Sequence, residues 1–84
     1  MTKQLALEFG PHVRVNALAP GLVKTHMRAV WKTDEEGIAA RHPMRRIGAP
    51  DDIADAALHL ASDTASWLTG APLVIDGGLS LVLA

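Results

Sequence analysis

Eighty-four residues, a formal charge of −1 from eight Lys plus Arg against nine Asp plus Glu, and no cysteine allow one small domain. They exclude a disulfide framework or thiolate metal site, and argue against a polyanion-binding surface, so nucleic acid is not an expected partner. No apolar run approaches the roughly 20 residues of a membrane span, and Met1-Thr2-Lys3-Gln4 lacks the apolar core of a signal peptide, so a cytoplasmic chain with no membrane partner is expected.

Residues 4–9 read as a helix, with Met1, Leu5 and Phe9 on one stripe, stopped by Gly10 and Pro11. So short a helix is unstable alone, which suggests that the chain begins inside an element. His12 falls in a solvated connection. Residues 13–19 are β-branched and apolar enough for a central parallel strand, and Pro20-Gly21 is expected to stop it. Asn16, the strand's one uncharged polar residue, is read as tied to nearby backbone rather than as a reactant. Gly21 has no Cβ, so its backbone can lie close to a flat ligand, and Thr25 offers a hydroxyl within reach of the same ligand.

The stretch 24–48 is polar and irregular. Thr33 and Glu36 have capping-box spacing, which predicts a helix over about 34–41, closed by Pro43. His26, Arg28, Trp31, Lys32, Arg41, His42, Arg45 and Arg46 read as solvated groups, whereas Met27, Val30, Trp31, Ile38 and Met44 are apolar groups on a loop that must cover something. The clearest helix is 49–62: Pro50 suits its first position, Asp51 and Asp52 its first turn, and Ile53, Ala56, Ala57, Leu60 and Ala61 form one apolar face. That face is either internal core or a subunit contact. His59 is solvated or edge-packed. Residues 66–70 read as a turn or helical cap, 73–76 as a second strand ended by Gly77-Gly78, and the apolar tail 79–84 is expected to pack on something.

Strand, helix and strand in that order make a βαβ unit with parallel strands, and two strands with one full helix cannot cover both faces of a parallel sheet. The fold class expected is therefore α/β, as part of a larger doubly wound parallel sheet. Hydrophobic residues make up 49% of the chain and aromatic residues only 4%, a composition of elements buried on both faces, with more apolar surface than so short a chain easily hides.

The segment Asn16-Ala17-Leu18-Ala19-Pro20-Gly21-Leu22-Val23-Lys24-Thr25 closely resembles the N-A-x-x-P-G-x-x-x-T segment of the short-chain dehydrogenase/reductase family. Leu5-Ala6-Leu7-Glu8-Phe9-Gly10 looks like the end of that family's active-site helix. Arg46-Ile47-Gly48-Ala49-Pro50-Asp51-Asp52-Ile53-Ala54, and the stretch from Leu68-Thr69-Gly70 to Ile75-Asp76-Gly77-Gly78, look like its last helix and last strand. Four pieces in the family's order and spacing make the resemblance specific, but only to the C-terminal part of a Rossmann-like domain.

The resemblance implies residues 1–84 as the C-terminal segment of one domain, without the N-terminal dinucleotide-binding half. It implies NAD or NADP as cofactor of the intact enzyme, an alcohol or ketone as small-molecule substrate, and a homo-oligomer. Pro20 and Gly21 would lie against the nicotinamide, the backbone of Val23 would bond its carboxamide, and Thr25 would help fix it. The segment after Thr25 would be a substrate lid. No catalytic residue carries over. The chain has no tyrosine for the family's Tyr-x-x-x-Lys pair, no serine before the strand and no glycine-rich phosphate loop. Alone, it is expected to be inactive. Two other readings are a non-catalytic interaction module that pairs with a related subunit, and an unrelated small enzyme using Asp51 or Asp76 with His59. No metal site is expected.

Overall fold

Two parallel four-residue strands lie side by side at the centre of the chain, β1 (Ala17–Pro20) and β2 (Pro72–Ile75), with Ala17 opposite Pro72 and Pro20 opposite Ile75. In this computed structural model the structure describes residues 1–24 and 35–83. Helix α1 (Thr2–Phe9) precedes β1; α2 (Glu35–Arg41), α3 (Pro50–Ala61) and a single 3-10 turn (Asp63–Ala65) lie between the strands; α4 (Leu79–Leu83) follows β2. Parallel strands need a crossover, and α3, which packs on β1, is the helix of that crossover.

Some elements depart from their sequence pattern because of contacts made far along the chain. Residues 13–16 are not ladder-paired as expected of a strand over 13–19. That stretch is tied to the 68–71 turn by one backbone bond, Gly70 N–H to the Val15 carbonyl (2.7 Å), and by side chains: Val15 N–H donates to Thr69 Oγ1 (3.0 Å), Asn16 Nδ2 donates to the Leu68 carbonyl (2.9 Å), and Asn16 Oδ1 accepts from Ala71 N–H (3.1 Å). Asn16 is therefore bonded to backbone as expected, but to backbone more than 50 residues away. β1 stops at Pro20-Gly21 as expected, with Pro20 as its last residue. The amides of Ala17 and Gly21 donate toward β2, to the carbonyls of Ala71 just before it and of Ile75. The alternating positions, Pro20 among them, face the other edge, so the missing N–H costs no bond to β2.

The face that α1 buries centres on Ala6, with Met1 exposed and Phe9 nearly half exposed, rather than on the expected Met1, Leu5, Phe9 stripe. Gly70, at φ +74°, approaches Ala6 so closely that a Cβ on it would sit 3.4 Å from the Ala6 Cβ. Helix α2 begins at Glu35, and the Thr33 of the expected capping box lies outside the described residues. Helix α3 starts as predicted, with Pro50 in its first turn and Asp52 accepting from the Ala49 N–H at 2.7 Å. At its other end Arg14 Nη1 donates to the Leu60 carbonyl (2.7 Å) and Nη2 to the Ser62 carbonyl (3.3 Å), placing a cation where the helix dipole is negative.

Burial is slight. Among the described residues only Ala6, Ile47 and Ala65 are buried apolar side chains, while Trp67 is wholly exposed and the tail residues Leu81, Val82 and Leu83 lie on the surface. His42, read from the sequence as solvated, is 1% exposed, with Nδ1 2.9 Å from the Ile38 carbonyl and Cδ2 against Gly77. Among the described residues no helix is long and apolar enough to cross a membrane.

Candidate functional site

In parallel α/β sheets the crevice beyond the carboxyl ends of the strands is where ligands bind. Here that region gathers Leu22 and Val23 after β1, Asp76 and Gly77 after β2, and Met44, Arg46, Gly48, Asp52 and Ile53 from the turn and helix between, around a cavity of about 130 Å3. Sites that enclose a whole ligand run to roughly 300–1,000 Å3, so this hollow suits one end of a larger ligand.

Gly21 links the two strand ends. Its amide donates to the Ile75 carbonyl at 2.9 Å, and a Cβ on it would lie 2.5 Å from Asp76 Cβ. Contact with β2 thus demands glycine here, whatever else approaches. Asp76 in turn caps α4: Oδ1 accepts from Gly78 N–H (2.9 Å) and Oδ2 from Ser80 N–H (3.0 Å). The Ser80 hydroxyl, then these two amides, hold its carboxyl below the usual range.

After Gly21 the chain makes a second parallel bridge, Val23 opposite Gly48. Gly48 N–H donates to the Leu22 carbonyl (3.0 Å) and Lys24 N–H donates to the Gly48 carbonyl (2.8 Å). In a parallel ladder those bonds belong to the neighbours of Val23, so its own N–H and C=O face away from Gly48. Neither has a hydrogen-bond partner among the described residues. One rigidly held donor beside one acceptor is what a primary carboxamide pairs with.

Arg46 and Asp52 sit beside this bridge. The guanidinium grips the carboxylate with both arms, Nη1 to Oδ2 at 2.7 Å and Nη2 to Oδ1 at 2.9 Å. That grip, then the Ala49 amide, lowers the Asp52 pKa, and the same bond raises that of Arg46. Lys24 Nζ lies 3.0 Å from Glu35 Oε1 at the start of α2.

Of the residues singled out from sequence, Pro20, Gly21 and Val23 come together at the end of β1, and Thr25 lies outside the described residues, as do His26, Met27, Arg28, Val30, Trp31 and Lys32. Asp51 or Asp76 with His59 does not form a pair. His59 Nδ1 is 3.2 Å from Thr64 Oγ1, and Asp76 is occupied at α4. Among the described residues no cluster of His, Cys, Asp or Glu could hold a metal. Sequence reading passed over Arg14, the Arg46–Asp52 pair and the burial of His42. The one available signal was Asp52 at the third position of a helix begun by proline, a place where a carboxylate accepts backbone amides.

Residues 1–80 match the family model described as Enoyl-(Acyl carrier protein) reductase. The chain is 48% identical to 3beta-hydroxysteroid dehydrogenase 1 of Eggerthella lenta, over 96% of this chain and 33% of that protein. It superposes with a TM-score of 0.89 on a short-chain dehydrogenase/reductase of the glucose/ribitol dehydrogenase type from Brucella melitensis, at 35% identity over 94% of this chain and 33% of the other. A second solved structure, a putative 2-deoxy-d-gluconate 3-dehydrogenase from Agrobacterium tumefaciens with bound NADP, gives 0.85 at 38% identity, over 95% and 34%. The chain spans about a third of the length of each of these three proteins.

Proposed function

Since the chain belongs to the short-chain dehydrogenase/reductase family, its parallel sheet being part of that family's Rossmann-like fold, we propose that it works as the C-terminal third of an NAD(P)-dependent oxidoreductase. Its part is to hold the nicotinamide end of the cofactor. The observation that carries this is Val23, whose N–H and C=O have no partner among the described residues at the carboxyl end of β1, where a carboxamide can take both. Pro20 and Gly21 form the backbone surface leading to it, and Thr25, outside the described residues, would add a hydroxyl.

When bound, the nicotinamide supplies or accepts the hydride exchanged with a carbon that carries oxygen. The residues here orient. Val23 would hold the carboxamide by its N–H and C=O and so orient the ring for transfer. The groups that recognise the adenosine ribose, and so choose between NAD and NADP, belong to the other end of such a cofactor. In this family a tyrosine carries proton transfer, and this chain has none, so that role would fall to the dinucleotide-binding part of the enzyme, together with the phosphate loop. The small-molecule substrate would be an alcohol or ketone.

The exposed apolar side chains of α3, β2 and α4, namely Leu58, Val74, Leu81, Val82 and Leu83, suit a contact between subunits of a homo-oligomer. The segment should be tested in the full-length enzyme, by following reduced-cofactor absorbance with a panel of alcohols and ketones. Cofactor-dependent turnover is expected. A folded, full-length protein that binds neither NADH nor NADPH would contradict the reading.

A further inference from the structure

The direction in which Val23 presents its donor and acceptor is set by Gly48, and Gly48 is held by a closed loop of chain. Arg46 and Asp52 join the ends of that loop through two bonds, and the same Asp52 oxygen that takes Arg46 Nη1 also accepts from Ala49 N–H at 2.7 Å, the amide next to Gly48. Between them Ile47 is 4% exposed, an anchor that prevents the loop from sliding. Gly48 fits tightly: a Cβ on it would lie 3.2 Å from the Leu22 carbonyl oxygen. The chain of contacts runs from a carboxylate to Ala49, to Gly48, to Leu22 and Lys24 on either side of Val23.

A solvent-facing ion pair adds little stability, and the Arg46 side chain is more than half exposed. Its geometry carries more. A bidentate guanidinium fork fixes a carboxylate in plane as a single bond or a lysine ammonium cannot. Resting on the nicotinamide reading above, we propose that Asp52, clamped by Arg46, is a positioning residue of the oxidoreductase: it holds the Gly48 bridge so that the Val23 N–H and C=O are aimed at the cofactor carboxamide. A shift of about 1 Å in such a support is enough to impair a site.

The experiment compares two ligands on the full-length enzyme carrying this segment: reduced cofactor, and the corresponding ADP-ribose or its 2′-phosphate, which lacks only the nicotinamide. Dissociation constants and melting temperatures are measured for Arg46→Ala, Arg46→Lys, Asp52→Ala, Asp52→Asn and Val23→Pro, the last removing a single N–H. Expected for Arg46→Ala and Asp52→Ala is reduced-cofactor binding weaker by about three- to tenfold, with ADP-ribose unchanged. Arg46→Lys, with charge but no fork, should not rescue, and Asp52→Asn, which keeps the Ala49 bond, should lose less than Asp52→Ala.

A lowered melting temperature with both ligands unaffected, or both weakened alike, would make Asp52 a helix cap only and overturn the proposal. Reduced cofactor weakened by Val23→Pro but not by the Arg46 or Asp52 variants would also overturn it while leaving the nicotinamide reading intact. Should Val23→Pro leave reduced-cofactor binding unchanged, the nicotinamide reading itself falls, and the positioning role with it.

Discussion

Residues 20–25 show how far single side chains can be read. Gly21 is legible as a glycine that must be glycine, but the reason read from sequence, a flat ligand, is not the contact the structure displays, which is Asp76 just after the neighbouring strand. Sequence spacing cannot reveal an approach between residues 55 positions apart. Replacing Gly21 with Ala in the full-length enzyme should therefore destabilise it by about 1–3 kcal/mol, the usual cost of overpacking, as read by denaturant unfolding; an unchanged midpoint would show that Asp76 can move aside. For Thr25→Val the expected loss is one neutral hydrogen bond, about 0.5–1.5 kcal/mol, seen as cofactor binding weaker by a few-fold to roughly tenfold. A lowered melting temperature with unaltered affinity would remove Thr25 from the site. Asp52 gives a prediction in pH. Arg46 holds its carboxyl below the ordinary value, so its contribution is complete above the unfolded pKa of about 4 and is lost as pH falls through the lower, folded one. The stability lead over Asp52→Asn should be flat from about pH 5 to 8 and shrink below about 4. A lead that varied between pH 5 and 8 would point to a different titrating group.

Elements were legible where their signals are local. Proline in the first turn, aspartates beside it and a small-residue stripe placed the longest helix within a residue at each end, Pro50–Ala61 against the expected 49–62. The first strand was less so. Its pattern ran over 13–19, yet only Ala17–Pro20 is ladder-paired, because Asn16 and Thr69 fasten the preceding stretch to a turn through side chains. Nothing periodic encodes that. Similarly, the burial of His42 depends on Gly77 and Ile38 meeting around it, a tertiary event. Helix α3 leaves Ala57 and Leu58 exposed although it packs on β1. If that surface is a subunit contact, Ala57→Arg in the full-length enzyme should lower its mass on a sizing column while leaving each subunit folded, whereas an unchanged mass would show the face to be free in the assembly.

For the molecule as a whole, three buried apolar side chains among the described residues cannot offset the entropy of ordering a chain of this length. Among the described residues no further strand pairs with either edge of the two-stranded sheet, and Trp67, Leu7 and Leu81 face solvent. The 84-residue chain alone should show no cooperative thermal or urea transition; a sharp one at low concentration, with a sedimentation mass near 8.9 kDa, would contradict this. The composition foretold that excess of apolar surface, and the parallel α/β class followed from the order of elements. The donor and acceptor of Val23 were less accessible, because their freedom depends on Gly48 bonding the residues on either side. That pair carries the account, and a structure of the full-length enzyme with bound NAD(H) or NADP(H) tests it most directly. The carboxamide should lie about 2.7–3.2 Å from both the N and the O of Val23. A nicotinamide seated elsewhere, or a carboxamide bonded to other groups while Val23 stays unpartnered, would contradict it.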